Sequence, residues 1–251
     1  MKIDGPVVGW TRLGLPVLFE SVHELAVVKP AGVATELTSD PRGVSLLARV
    51  DAATPARVVP RLPHRLDRVT RGIVVIALTD EAVRFHNEQL RAGRWEKVYL
   101  ARVAVNPGMG RRLLGTHTLH LRTRDRRAEV VQSGGKRAVT EILALAAAPG
   151  RPDEAHVLLR LHTGRYHQVR ATMAALGAPL VDDWLYGIPS TGRGERFYLE
   201  HVALRFTPWG DRQPRAVHWR EDPDREPLDP ALRASLDRIV EGWEGRDAEK
   251  R

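Results

Sequence analysis

Several stretches of the chain have the apolar pattern that is expected of β-strands. Residues 72–78 form a continuous apolar run rich in β-branched side chains, which is typical of a strand buried on both faces. Residues 95–105 and 156–162 place apolar side chains at every second position, so that each strand has one apolar face. Shorter strands are predicted over residues 24–29 and 199–206.

A β-hairpin is predicted in the middle of the sequence. Residues 128–133 and 136–145 have strand character and flank Gly134-Gly135, a pair of residues that suits a two-residue turn. The preceding residues, 106–127, are basic, contain glycine and have no clear period, so no element is assigned to them.

Helical spacing occurs between these strands and near the end of the chain. Thr79 is placed to cap a helix that Gly93 ends. Further helices are predicted over residues 169–176 and 229–243, and a short one over 44–50. Strands outnumber helices, which predicts an α+β fold with a mostly antiparallel, mixed sheet on which the helices pack.

The distribution of charge along the chain has two interpretations. The 251 residues carry a net charge of +8, and residues 84–137 hold 13 Lys or Arg against 4 acids. A concentrated basic surface favours a nucleic-acid partner. The alternative is a general arginine bias, because 34 of the 39 basic residues are Arg.

Other features of the composition exclude several classes. There is no cysteine, so disulfides and thiolate chemistry are absent, and we expect a cytoplasmic location. No run of about 18 apolar residues is present, so no membrane association is expected. The phosphate-binding loop, the dinucleotide-binding loop and the hydrolase nucleophile motif are all missing. His117 and His120 would face opposite sides of an extended segment, so no metal site is expected.

Three segments carry residues that are candidates for catalysis or for binding. Asp67 lies between Arg65 and Arg68 just before the buried strand, where nearby cations would keep a nucleophilic or basic carboxylate ionised. Taken alone, this pattern also fits a surface salt bridge. Tyr99 on a strand could stack on a base, or simply pack in the core. Residues 162–170 crowd polar groups where a strand meets a helix, which favours phosphate binding over a solvated helix start.

Taken in order, these segments resemble the RluA-type family of RNA pseudouridine synthases. The central motif H-R-L-D-x-x-T-S-G stands here as His64-Arg65-Leu66-Asp67-Arg68-Val69-Thr70-Arg71-Gly72. The K-x-Y-x-A element matches Lys97, Tyr99 and Ala101, and an early K-P-x-G matches Lys29, Pro30 and Gly32. The T-G-R-x-H-Q-[IVL]-R element matches Thr163-Gly164-Arg165 and His167-Gln168-Val169-Arg170. The last element, L-G-x-P-L-V…D-x-L-Y-G, matches residues 176–187. Departures include Arg71, which stands where Ser is usual.

The resemblance implies a fold and a mechanism. The chain would have the catalytic fold of this family over residues 1–220, with no separate N-terminal RNA-binding module, and an amphipathic helix and tail over 221–251. A uridine of rRNA or tRNA would be flipped into the pocket, where Asp67 attacks the ribose C1′ or removes a sugar proton. Tyr99 would stack on the base and take the C5 proton, and Arg165 would pair with Asp67. No cofactor or metal is implied.

The resemblance also implies which residues meet the RNA. Arg65 would fill the space that the flipped base leaves, and further contacts are expected from six neighbours in the motifs: His64, Arg68, Arg71, His167, Gln168 and Arg170. The alternatives are a catalytically inactive RNA-binding relative, and an unrelated hydrolase that uses Asp67 as a general base. A monomer is expected.

Overall fold

The computed structural model describes residues 13–37, 43–55, 58–105, 110–187 and 197–248. The strands are β1 (Val17–Glu20), β2 (Glu24–Lys29), β3 (Arg71–Ala77), β4 (Glu96–Ala104), β5 (Gly115–Arg124), β6 (Arg127–Val130), β7 (Lys136–Ala148), β8 (Arg151–Leu161), β9 (Leu199–Phe206) and β10 (Arg215–His218). The helices are α1 (Leu46–Ala53), α2 (Asp80–Arg91), α3 (Gly110–Leu113), α4 (Gln168–Ala175) and α5 (Pro230–Ala248).

The described residues form two compact units that each draw on separate parts of the chain. The first takes residues from 13–96, 200–224 and 240–248, and the second takes residues from 97–199 and 225–239. Both units combine β-sheet with helices, so the predicted α+β class is confirmed. The predicted boundary between residues 220 and 221 stays a prediction, since each unit includes residues from both sides of it.

The first unit is a sheet in the order β1-β2-β3-β9, with β10 paired to β9. β2 and β3 are antiparallel over six residue pairs, from Glu24 and Ala77 to Lys29 and Gly72. β3 and β9 are parallel, so the sheet is mixed. All seven residues of β3 are buried, as its β-branched composition predicted. An apolar core fills this unit, and its buried members are Leu18, Phe19, Ala26, Val28, Ile73, Val75, Trp95, Leu204, Phe206 and Val217.

The second unit is an antiparallel sheet in the order β4-β8-β7-β5-β6. β7 and β8 form a long hairpin, and β5 to β6 form a shorter one whose face packs on α4. A small cluster of Leu121, Ala128, Ala138 and Ala171 joins that hairpin to the helix.

The predicted hairpin around Gly134-Gly135 is wrong. The two-residue turn is instead Asp125-Arg126, whose φ values of 46° and 60° are those that such a hairpin turn requires at both positions. β6 therefore pairs with β5, and β7 pairs with the other edge of β5. Gly134-Gly135 carries the chain past β5, and a Cβ on Gly135 would lie 3.0 Å from the backbone of His120.

The helix signals in the sequence are confirmed. The Thr79 hydroxyl accepts from the Ala82 N–H at 3.2 Å and caps α2, and Gly93 follows its end with φ of +67°. α1 lies slightly later than predicted because Ser45 is its cap, with the hydroxyl accepting from the Ala48 N–H. The predicted helices in 169–176 and 229–243 are α4 and α5.

Candidate active site

His64 attaches the loop that carries Asp67 to the first sheet. The Val75 N–H of β3 donates to His64 Nε2 at 2.9 Å, and the imidazole lies edge-on to the Trp95 ring at 5.0 Å between centroids. A ring nitrogen that accepts carries no proton, so these contacts fix the orientation of the ring. His64 is half-buried and holds the start of the loop on β3. Its contact with RNA stays a prediction.

Hydrogen bonds hold the backbone on both sides of Asp67. The Thr35 hydroxyl donates to the Leu66 carbonyl at 2.6 Å and accepts from the Leu66 N–H at 3.2 Å. The Gly32 N–H donates to the Arg68 carbonyl at 2.8 Å. Asp67 is half-buried between these two anchored residues. Its carboxylate is therefore carried by a backbone that is fixed before and after it.

Lys29 is the residue beside this loop whose importance the sequence did not reveal. Its ammonium donates to the carbonyls of Val33 at 2.7 Å, Pro30 at 3.0 Å and Arg68 at 3.3 Å. Burial lowers the pKa of Lys29 to about 7, the nearby Asp67 carboxylate raises it, and Arg68 lowers it further. The signals in the sequence are its place in the K-P-x-G element and its position at the end of a strand with four successive apolar residues.

Arg65 and Arg71, two arginines of the motif around Asp67, lie in very different surroundings. Arg65 is exposed and pairs with Glu36 at 2.7 Å. Arg71 is only 8% exposed, and its guanidinium lies 2.8 Å from the Asp222 carboxylate and 3.9 Å from that of Glu200. RNA contacts by Arg65 and Arg71 stay predictions. The position of Arg71 indicates a buried ion pair that ties the motif to the C-terminal part of the chain.

Tyr99 and Lys97 are the candidate site residues on β4 of the second unit. Tyr99 lies on β4 opposite Leu159 and is 7% exposed. Lys97 precedes it by two residues on the same face, and its ammonium is 3.6 Å from where a Cβ on Gly164 would stand. Burial lowers the pKa of Lys97 to about 8, with a smaller contribution from the Arg165 charge. Tyr99, Lys97 and the turn before Arg165 therefore belong to one neighbourhood.

Gln168 organises the turn that carries Arg165. Its side-chain carbonyl accepts from the Thr163 hydroxyl at 2.8 Å and from the Arg165 N–H at 3.0 Å. Its amide group donates to the Val139 carbonyl and to the Thr140 hydroxyl, both at 3.0 Å. Gln168 is 2% exposed, so these four bonds are shielded from water. The side chain fixes the turn to β7, and its predicted RNA contact is untested.

Arg170 and His167 form a second network at the start of α4. The Arg170 guanidinium donates to both carboxylate oxygens of Asp183, at 2.8 and 2.7 Å, and to His167 Nε2 at 3.1 Å. Nε2 therefore accepts, and the ring proton lies on Nδ1, which is 3.0 Å from the Tyr186 hydroxyl. Burial, together with the Arg170 charge, lowers the pKa of His167 to about 4, although Asp183 opposes this shift. His167 is thus neutral at physiological pH.

The predicted site residues fall into two groups. The first unit holds His64, Arg65, Asp67, Arg68 and Arg71, and the second holds Tyr99, Arg165, His167, Gln168 and Arg170. Asp67 lies near enough to Lys29 to raise the pKa of that lysine, and Arg165 lies near enough to Lys97 to lower the pKa of that one. The ion pair between Asp67 and Arg165 stays a prediction.

The described residues also bear on metal binding and on membrane insertion. Within the described ranges, no group of three or more histidines and acidic residues is arranged to hold a metal ion. No described helix combines the length and the apolar character needed to cross a membrane. The expectation that the reaction needs no cofactor stays a prediction.

Comparison with known proteins links the chain to one family. The family described as RNA pseudouridylate synthase matches residues 23–175. An uncharacterized RNA pseudouridine synthase of Chloroflexus aurantiacus is 34% identical over 200 residues, which cover 77% of this chain and 60% of the relative. The dual-specificity RNA pseudouridine synthase RluA of Salmonella typhi is 32% identical over 180 residues, 70% of this chain and 78% of the relative.

Two further matches differ in how much of the matched protein they cover. Ribosomal large subunit pseudouridine synthase D of Xanthomonas campestris is 36% identical over 181 residues, 69% of this chain and 52% of the relative. The chain therefore spans less than two thirds of the Chloroflexus and Xanthomonas proteins. The solved structure of human RNA pseudouridylate synthase domain containing 1 superposes with a TM-score of 0.68 at 25% identity, covering 92% of this chain and 94% of the human one.

Proposed function

Because this chain belongs to the RNA pseudouridylate synthase family, we propose that it isomerises a specific uridine of rRNA or tRNA, with Asp67 as its catalytic residue. The observation that carries the proposal is the loop around Asp67. Its backbone is anchored on both sides, and the buried Lys29 ammonium lies close enough to interact with the carboxylate. A nearby cation favours the ionised carboxylate, which is the form that either route of the reaction needs.

The reaction moves groups within the substrate, so no atom is supplied from outside. In one route Asp67 attacks the ribose C1′, the N1–C1′ bond breaks, and the uracil leaves with the bonding electrons. The uracil turns, its C5 forms the new bond to C1′ while Asp67 leaves, and C5 then loses its proton while N1 gains one. In the other route Asp67 takes the C2′ proton as the uracil departs, and returns it to C2′ when C5 adds to C1′ of the glycal. As in the first route, C5 then loses its proton and N1 gains one.

Tyr99 and Arg165 complete the proposed chemistry. Tyr99, which is held on a buried strand, stacks on the detached uracil, and its phenolic oxygen accepts the C5 proton as it gives up its own. Arg165 pairs with Asp67 and keeps the carboxylate ionised and oriented. The bonds from Gln168 and from the Arg137 carbonyl, which accepts from Arg165 Nε at 2.9 Å, support the fixed position this role demands.

RNA is the proposed partner, and the basic stretch 84–137 is its proposed track. The outer face of the β5–β6 hairpin carries exposed arginines, among them Arg122 and Arg124, whose charges suit a phosphate backbone. Arg65, His64, Arg68, Arg71, His167, Gln168 and Arg170 are the proposed contacts near the flipped uridine. The relatives include a ribosomal large subunit pseudouridine synthase, which supports rRNA as one substrate class. A cytoplasmic monomer is part of the same proposal.

Replacement of Asp67 by Asn tests the proposal directly. The substitution keeps the shape of the side chain and removes both its nucleophilic and its basic character. Total RNA from cells that lack the gene is incubated with the purified chain, and pseudouridine is measured by mass spectrometry of nucleosides. The wild type is expected to raise the pseudouridine content, and Asp67→Asn is expected to leave it unchanged.

The control is Asp80→Asn, which alters an exposed carboxylate on α2 that pairs with Arg61 at 2.8 Å. It is expected to keep wild-type activity. If Asp67→Asn forms pseudouridine at the wild-type rate, the assignment of Asp67 is wrong. If the wild type forms none, yet binds RNA with an affinity that falls steeply with salt, the chain is the catalytically inactive RNA-binding relative.

A further inference from the structure

A chain of three aromatic rings links the turn of Arg165 to the β5–β6 hairpin. Tyr166 stacks on His167, with ring centroids 3.8 Å apart and planes inclined by 19°. His167 in turn meets Tyr186 edge-on at 5.6 Å, and its Nδ1–H donates to the Tyr186 hydroxyl at 3.0 Å. Tyr166 stands at the variable position of the T-G-R-x-H-Q motif, immediately after Arg165.

Both outer members of this aromatic chain hold the hairpin. The Ala128 N–H of β6 donates to the Tyr186 hydroxyl at 2.5 Å, and the Arg127 guanidinium lies 4.8 Å above the Tyr186 ring. At the other end, the Tyr166 hydroxyl donates to the Arg126 carbonyl at 3.3 Å, a long and therefore weak bond. The turn and the first residues of β6 are thus fastened at three points.

The backbone at both ends of the link is in a conformation that needs support. Arg126 has φ of +60° in the hairpin turn, and His167 has φ of +52° at the start of α4. Neither residue is glycine, so each conformation is unfavourable unless surrounding contacts impose it. The stack of Tyr166 on His167, and the bonds of His167 to Arg170 and Tyr186, are contacts of that kind.

Arg165 is attached to the same sheet by its own side chain. Its Nε donates at 2.9 Å to the carbonyl of Arg137, which lies on β7 opposite His120 of β5. The strand that carries the basic hairpin therefore neighbours the strand that holds the Arg165 guanidinium. The hairpin is therefore connected to the Arg165 turn by two paths, through β7 and through Tyr166.

We propose that Tyr166 and Tyr186 are positioning residues that fasten the basic hairpin to the Arg165 turn, so that RNA bound along the hairpin fixes Arg165 for catalysis. The proposal rests on the proposed function, because Arg165 matters only if the chain is a pseudouridine synthase. The partner of the hairpin is an RNA phosphate backbone, given the exposed Arg122 and Arg124 on its outer face. The hairpin is thus both a binding arm and a support for a residue of the site.

The first test compares Tyr166→Ala with Tyr166→Phe. Alanine removes the stack on His167, whereas phenylalanine keeps the stack and loses only the weak bond to Arg126. Single-turnover formation of pseudouridine is measured with excess enzyme on total RNA from cells lacking the gene. Tyr166→Ala is expected to lower the rate by roughly 10- to 100-fold, the effect of a small misplacement of a catalytic group. Tyr166→Phe is expected to restore the rate to within about threefold of wild type.

Binding and folding are measured in parallel to separate positioning from a structural loss. The affinity of each variant for a labelled stem-loop RNA, in the Asp67→Asn background, is expected to change less than about threefold, since phosphate contacts are made by other residues. The melting temperature is expected to stay within a few degrees of the parent. The proposal would be overturned if the loss of rate came with a fall in melting temperature of more than a few degrees, or with an equal fold loss of RNA affinity. Full activity of Tyr166→Ala would overturn it as well.

The second test asks whether the binding of RNA to the hairpin affects Arg165 through Tyr166. In an Arg122→Gln/Arg124→Gln background, Tyr166→Ala is expected to cause little further loss of rate, because the hairpin no longer engages the backbone. In a control background of Arg233→Gln/Arg238→Gln, two exposed arginines of α5, Tyr166→Ala keeps its full effect. Equal effects in the two backgrounds overturn the coupling. If the wild type forms no pseudouridine, the proposed function has failed instead.

Discussion

At the scale of single residues, Lys29 is a strand residue whose side chain lies beside the loop of the candidate active site. Its side chain is fully buried and binds three backbone carbonyls, one of which belongs to Arg68, 39 residues later in the chain. The ammonium therefore joins the end of β2 to the loop of Asp67. Its charge and its burial act against each other, which makes its contribution to stability depend on pH.

Lys29 is expected to make the free energy of unfolding rise with pH above neutrality. Its pKa is lowered in the folded chain from 10.5 to about 7 by burial. Between these values the unfolded chain binds the proton and the folded chain does not, so stability rises as pH increases. The stabilisation relative to low pH is complete above 10.5 and lost as the pH falls through 7.

Urea unfolding between pH 7 and 10 measures this dependence. In Lys29→Met the curve of unfolding free energy against pH is expected to be flatter than in wild type by a few kcal/mol over the range. Lys136→Met, at an exposed lysine of β7, is the control and should keep the wild-type slope. Parallel curves for wild type and Lys29→Met would contradict the lowered pKa.

At the scale of elements, local signals predicted what depends on local chemistry. β3 was predictable because seven successive residues are apolar or small, and α2 because Thr79 and Gly93 mark its ends. The β5–β6 hairpin was not, because its turn is Asp125-Arg126 and takes positive φ without glycine. The aromatic link to Tyr186 explains how that turn is maintained, and such a contact 58 residues away has no local signature.

The same limit applies to the candidate site. The motifs identified Asp67, Tyr99 and Arg165 as candidates through resemblance to a family. They did not reveal that Arg71 bonds to Asp222, which is 151 residues later in the sequence. A buried arginine and an exposed one are identical in sequence, and only tertiary packing distinguishes them.

Gly72 tests how closely β9 approaches β3. It has φ of +113°, and a Cβ there would lie 2.4 Å from the His201 carbonyl oxygen. Gly72→Ala is expected to lower the free energy of unfolding by at least about 3 kcal/mol, since the added atom cannot fit without moving the backbone of β9.

Gly93→Ala is the matched control for that experiment. Gly93 also has positive φ, of +67°, but no atom lies within 4 Å of its Cβ position. It is expected to cost about 1–2 kcal/mol, the strain of the left-handed conformation alone. Urea denaturation of both variants gives the difference. If the two losses were equal, close packing of β9 on Gly72 would not be a constraint on the motif.

At the scale of the whole molecule, neither compact unit is a continuous piece of chain. The first unit combines residues 13–96 with residues 200–224 and 240–248, well beyond the segment 23–175 that matches the family. The second unit includes residues 225–239, where Glu226 binds Arg102 at 3.0 Å and His156 at 2.7 Å. The C-terminal residues are therefore integral to both units.

Two residues near the end of α5 test whether this helix stabilises the first unit. Trp243 is 1% exposed, and its indole N–H donates to the Glu96 carboxylate at 2.9 Å. Arg246 binds the same carboxylate at 3.0 Å, but its side chain is 54% exposed. Both residues thus share one partner and one helix, and they differ mainly in burial.

Trp243→Ala is expected to lower the free energy of unfolding by about 3–5 kcal/mol, because it removes a large buried side chain and leaves a cavity. Arg246→Ala is expected to lower it by less than about 1 kcal/mol, since an exposed ion pair contributes little in water. Chemical denaturation of the two variants under identical conditions measures both values. A small loss for Trp243→Ala would mean that α5 is dispensable to the first unit. A large loss of unfolding free energy would show that a residue outside the segment 23–175 stabilises the first unit. The loop of Asp67 belongs to that same unit.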